Sequence, residues 1–169
     1  NSIPAFQDNP YVMSKVAATR WIEVLSAVYP RSIATAKAFQ VYGPGDDPNN
    51  VLSYAARTLK AGKKATFSSG KSLRDWIYID DFIEGLKACG EDQGAGLHYY
   101  DLGSGKRYSI REMVESIAEI VDASPSLLTF DPSKDRGDTV IDDWARQPPP
   151  AWYVNNDTMT GLRKLINFT

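Results

Sequence analysis

Apolar residues recur near helical spacing at Val12, Val16, Ile22, Leu25 and Val28, which predicts a helix over 10–28 with one buried face. Asp8 or Asn9 can cap it, Pro10 fits a first turn where a missing N–H is harmless, and Pro30 ends it. The run 33–41 is mostly small or apolar, the pattern of a central parallel strand covered on both faces. The turn cluster 42–46 follows, then a helix over 50–61 stopped at Gly62. A short strand is read at 66–68, with Ser69-Gly70 as its turn, and extended chain at 76–79. Asp80 or Asp81 caps a helix running towards Cys89, with Gly90 as its stop, and 97–102 is another strand. Ser109 and Glu112 have capping-box spacing, and Ile110, Met113, Ile117, Ile120 and Val121 give the helix behind them its apolar stripe. A last strand is expected at 127–130, irregular polar and proline-rich chain over 131–150, and a closing helix at 159–166. Helices alternating with strands argue for α/β architecture.

Composition narrows the classes. The 169 residues suit one compact unit, and a chain of this length buries roughly two-thirds of its unfolded surface. Nineteen basic and 21 acidic residues give a net charge of −2 with no basic cluster, so no nucleic-acid partner is expected. No apolar run approaches the ~20 residues of a membrane span, and no signal segment opens the chain, so a cytoplasmic protein without a membrane partner is the expectation. One cysteine and one histidine, Cys89 and His98, exclude an internal disulfide and supply no metal site; His98 reads as structural or surface.

The chemistry concentrates at Tyr11 and Lys15. Four residues apart on a helix, they lie one turn above each other. An ammonium beside a phenol favours the phenolate, and such a tyrosine suits proton transfer at an alcohol or sugar carbon that exchanges hydride.

Four segments then carry a resemblance: Tyr11-x-x-x-Lys15, Phe39-Gln-Val-Tyr-Gly-Pro44, Arg74-Asp-Trp-Ile-Tyr-Ile-Asp-Asp81 and Asp101-Leu-Gly-Ser-Gly105. In this order and at these separations the chain resembles the C-terminal part of the nucleotide-sugar epimerase/dehydratase family, the extended branch of the short-chain dehydrogenase/reductases. The resemblance implies a partial Rossmann-like, doubly wound unit plus the small substrate-binding lobe. About 1–45 would be the Rossmann remnant and about 46–169 mainly the substrate-binding region of one compact fragment. It implies Tyr11 as catalytic acid/base and Lys15 as the residue that holds the nicotinamide ribose, so both would also face the cofactor, NAD or NADP. It implies a nucleotide-sugar substrate, with Arg74 on its diphosphate, where a planar guanidinium takes two oxygens. A salt bridge from Arg74 to Asp75 is the competing reading. Asn50, with Asn49, would run beside the nucleotide or cap the helix that follows. Arg136 and Asp138 resemble the later loop that closes over the nucleotide, with the arginine one place nearer the aspartate than in many relatives. Asp80 and Asp81 are read as helix starters, where negative charge is favoured.

There are departures. Gln40 stands where an asparagine commonly reaches the substrate phosphates, and its amide is displaced by one methylene. Lys37 keeps a charge without the planar fork. The stretch 144–152 has no obvious family counterpart. A Gly-rich turn for the dinucleotide pyrophosphate is missing from this sequence, and Gly43-Pro-Gly45 and Gly103-Ser-Gly105 read as plain turns. The chain alone is therefore not expected to hold the cofactor. Two outcomes follow: the substrate-binding half of an epimerase or dehydratase completed by a missing N-terminal half, or a non-catalytic binding or assembly module. In the second, an incomplete sheet favours a homo-oligomer or a complementing partner.

Overall fold

The computed structural model describes residues 9–29, 31–91, 94–135 and 144–169. Five helices are present among them: α1 Pro10–Val28, α2 Val51–Lys60, α3 Ile79–Glu91, α4 Ile110–Ile120 and α5 Thr158–Phe168. Seven strands accompany them: β1 Ser32–Ala38, β2 Gln40–Tyr42, β3 Ala65–Phe67, β4 Leu73–Tyr78, β5 Gly96–Leu102, β6 Arg107–Ser109 and β7 Leu128–Phe130. The α/β reading holds. Asp8, Pro30, Arg136 and Asp138 lie outside the described residues.

The strand expected over 33–41 is two strands that change partner. β1 pairs in parallel with β5, and β2 pairs in parallel with β4. Phe39 lies at the switch, its N–H donating to Leu102 O at 3.1 Å. Nor is this strand covered on both faces: β1 pairs only with β5 among the described strands, and none of its residues is buried. β4 also takes β6 antiparallel on its other side, a three-residue strand the sequence reading missed, and β3 pairs with β7.

The buried face expected for α1 is a second correction. The helix has the expected bounds, and Asn9 caps it by accepting from Tyr11 N and Val12 N. Yet none of its residues is buried, and Val28 is 62% exposed. The apolar stripe is real, but β5 meets α1 only in part and leaves Val16, Leu25 and Val28 exposed.

The principal core lies instead between α2, α4, α5 and strands β2, β3 and β4. Leu52, Leu59, Trp76, Met113, Ile117, Leu162 and Leu165 meet there. Tyr42 joins it edge-on to Trp76 and Tyr78, with centroids 6.4 and 5.7 Å away. Burial pushes the Tyr42 phenol well above its ordinary pKa, with Asp81 adding to the effect. A smaller cluster of Cys89, Tyr100 and Leu102 joins α3 to β5, with Trp152 against it. Gly85 permits that approach, because a Cβ there would come within 2.7 Å of Leu102 and 3.0 Å of Trp152. The capping box forms at α4: Ser109 Oγ accepts from Glu112 N at 3.1 Å, and Glu112 Oε2 accepts from Ser109 N. α3 runs one residue past the stop expected at Gly90.

Candidate functional site

α1 presents Tyr11 and Lys15 on one exposed face of its first two turns. Lys15 Nζ lies 5.3 Å from the Tyr11 ring centroid, so the two side chains meet as the spacing required. Tyr11 is 68% exposed, open to a ligand or a covering unit.

Arg74 sits in β4, half-buried, with Nη1 donating to Leu73 O at 2.9 Å. Desolvation lowers its pKa from the ordinary value. Guanidinium titration lies so far above neutrality that the group remains a cation. Strand alternation places Arg74 and Trp76 on one face of β4, and Gln40, exposed in β2, is the parallel partner of Trp76. Arg74 and Gln40 therefore share a ladder face. Asn50 precedes α2 at its N-cap position but does not cap it with its side chain. Its Nδ2 donates to Asp46 Oδ1 at 2.6 Å, and Asn49 is tied to Asp47. The capping alternative thus describes where Asn50 stands and not what its amide does.

The competing Arg74–Asp75 salt bridge is replaced by another arrangement. Asp75 points to the opposite face of β4 and is 1% exposed. Its Oδ1 accepts from Ser104 N at 2.6 Å and Ser104 Oγ at 2.8 Å. Its Oδ2 accepts from Gly105 N at 3.0 Å and Ala145 N at 2.9 Å. This settles the chemistry of the Gly103-Ser104-Gly105 turn. The N–H groups that a phosphate would need are already given to a carboxylate, and a Cβ on Gly103 would sit 2.7 Å from Asp75 Oδ2. The turn is built around Asp75 and does not fit a pyrophosphate. Tyr11 and Lys15, which the sequence resemblance would set against a nicotinamide, are both exposed.

Two further carboxylates repeat the device. Asp101 Oδ2 accepts from Arg146 N at 2.9 Å and Gln147 N at 3.2 Å, while its own N–H donates to Gln147 O. Asp81, also 1% exposed, accepts from Asn155 N at 2.9 Å and from Asn156 N and Nδ2 at 3.1 Å. Asp81 therefore does more than start a helix. Asp80 meets Lys164 at 3.3 Å on the surface. Together the three buried or half-buried aspartates fasten 145–156, a segment without helix or strand, to β4, α3 and β5. The sequence reading missed this role; its visible signal was acidic residues embedded in apolar strand runs, where an unpaired charge is rarely buried.

Comparison with known proteins places this geometry in a class. The chain superposes on the UDP-N-acetylglucosamine 4-epimerase of Methanobrevibacter ruminantium, in complex with UDP-N-acetylmuramic acid, with a TM-score of 0.82 at 17% identity, covering 99% of this chain and 55% of that one. The Bacillus anthracis dTDP-glucose 4,6-dehydratase in complex with NAD gives a TM-score of 0.80 at 19% identity, over 95% of this chain and 51% of that one. The fold is that of the extended short-chain dehydrogenase/reductases. In sequence, the UDP-glucose 4-epimerase of Mycolicibacterium smegmatis is 26% identical over 172 aligned positions, 98% of this chain and 54% of that protein. The NAD dependent epimerase/dehydratase family model matches residues 2–103, and the chain belongs to that family. It spans about half the length of these relatives. No helix among the described residues is long and apolar enough to cross a membrane.

Proposed function

We propose that this chain is the substrate-binding and proton-transferring portion of an NAD(P)-dependent nucleotide-sugar epimerase or dehydratase. The observation that carries the reading is the Tyr11–Lys15 contact on the exposed face of α1, within a chain of this family. Tyr11 takes the proton of a sugar hydroxyl as the carbon that bears it loses hydride, and Lys15 holds its ammonium beside the Tyr11 ring. The dinucleotide, when bound, accepts and returns that hydride. The Gly103–Gly105 turn would not hold its pyrophosphate, because the turn's N–H groups are committed to Asp75. Arg74 takes the diphosphate of the nucleotide sugar, with the Gln40 amide on the same ladder face, and Asn50 lies beside the nucleotide.

Calorimetric titration with UDP- and dTDP-sugars tests the reading. Arg74→Ala is expected to weaken binding at least about tenfold, the loss of a charge-assisted bidentate contact. Tyr11→Phe removes a proton-transfer group and no phosphate contact, so affinity is expected to stay within about twofold. Equal affinity in Arg74→Ala and the unaltered chain would contradict the assignment.

A second reading, a non-catalytic assembly module, is favoured by one observation: α1 leaves Val16, Trp21, Val24, Leu25 and Val28 exposed together. Both readings predict that another polypeptide unit covers this helix.

A further inference from the structure

α2 has two working flanks. On one, Tyr54 meets Phe67 of β3 edge-on, with ring centroids 5.6 Å apart. The other faces α5, where Lys60 Nζ donates to Ile166 O at 3.1 Å. Ser53 and Arg57 belong to this second flank, four residues apart and so one turn above each other. Asp46 and Pro48 from the loop after β2, Ser53 and Arg57 from α2, and Leu165 and Phe168 from α5 line a cavity of about 200 Å³.

Opposite charges border this cavity without meeting. Among the described residues neither Arg57 nor Asp46 forms an ion pair. Arg57 Nη2 donates to Pro48 O at 3.1 Å, and the rest of its planar fork has no acceptor. Asp46 Oδ1 accepts from Asn50 Nδ2 at 2.6 Å and from Asp47 N at 2.9 Å, while Oδ2 accepts no hydrogen bond. Ser53 is 3% exposed, and its hydroxyl has no partner. Leaving a buried hydroxyl unpaired is costly, so such a group marks a place where a partner is due. Leu165, buried, and Phe168, exposed, give the cavity its apolar wall.

We propose that the cleft between the 43–48 loop, α2 and α5 binds a small zwitterion, an α-amino acid with an aliphatic side chain. Its carboxylate takes the open edge of the Arg57 guanidinium and the Ser53 hydroxyl, and its ammonium donates to Asp46 Oδ2. Its side chain lies against Leu165 and Phe168. A ligand with one charge would pair one wall and leave the other unpaired. The volume falls below the roughly 300–1,000 Å³ of drug-sized pockets, which suits a ligand this small. None of Tyr11, Lys15, Gln40, Asn50 and Arg74 lines the cavity, so the site stands or falls separately from the nucleotide-sugar reading.

The test is calorimetric titration of this chain with L-leucine, beside 4-methylpentanoate, which lacks the ammonium, and 3-methylbutylamine, which lacks the carboxylate. L-Leucine is expected to bind at least about tenfold more tightly than either analogue. Arg57→Gln and Asp46→Asn are each expected to lower leucine affinity at least about tenfold, and Ser53→Ala about fivefold. Unfolding curves check that each variant remains folded. Ser53→Ala deletes a hydroxyl without a partner and is expected to keep the unfolding midpoint, so it serves where Asp46→Asn disturbs its loop. Absence of leucine binding by the unaltered chain overturns the proposal. So does equal binding of either singly charged analogue, and so does undiminished leucine binding in folded Arg57→Gln.

Discussion

Asp75 shows how one residue organises the region. Its carboxylate serves four donors from two separate segments, the Ser104–Gly105 turn and Ala145, while Arg74 beside it faces the other way. Asp75→Ala would leave the Ser104, Gly105 and Ala145 N–H groups without their acceptor, at a cost of about 3 kcal/mol. Urea unfolding is expected to show that loss, with Asp75→Asn intermediate because one carbonyl oxygen remains. An unchanged midpoint in Asp75→Ala would remove Asp75 from its place as the fastening of 144–147. The sequence offers Asp75 only as an alternative, salt-bridge partner of Arg74, because neighbours along the chain are all it shows. The actual partners lie 29 to 70 residues away, and only the fold brings them together.

Elements with local instructions were legible. The bounds of α1 follow from Asn9, Pro10 and helical spacing, and α4 follows from Ser109 and Glu112, whose reciprocal bonds form. Those bonds from Ser109 hold the Glu112 carboxyl below its ordinary value of 4.5. A depressed folded-state pKa contributes stability above the unfolded value, and that contribution is lost as pH falls through the folded value. Stability is therefore expected to decline in acid from about pH 4.5 downward, with a smaller decline in Ser109→Ala, as read by urea midpoints across pH. Equal acid sensitivity in the two proteins would contradict the linkage. What was not legible depends on partners distant in sequence. β6 is three residues long and has no periodicity of its own; β4 calls it into being by pairing. The stripe on α1 was read correctly as apolar and wrongly as buried, since periodicity shows which face seeks cover and not what covers it. Leu25→Lys is accordingly expected to change the stability of this chain by no more than about 0.5 kcal/mol, as at an exposed site. It is expected to reduce any association through α1, measured by sedimentation velocity. A large drop in the unfolding midpoint would show that Leu25 is covered within the chain.

At the scale of the whole molecule, the packed core and the candidate chemistry lie in different places. The larger apolar cluster joins α2, α4 and α5 to the short strands, and Arg74 is on a strand that runs into it. Tyr11 and Lys15 stand on a helix with no buried residue. The chain belongs to the NAD dependent epimerase/dehydratase family and matches about half of its relatives' length. The family was legible from four short motifs, because each fixes chemistry locally. The Gly103–Gly105 turn, a plain turn in the sequence, shows its purpose only through a long-range contact, giving the N–H groups of Ser104 and Gly105 to Asp75. Nucleotide-sugar binding and NAD binding are therefore separable affinities in the proposed function. Parallel calorimetric titrations of this chain with UDP- or dTDP-glucose and with NAD measure them directly. The account predicts binding of a nucleotide sugar without NAD, and no measurable NAD binding by this chain alone. Tight NAD binding with no affinity for either nucleotide sugar would contradict it.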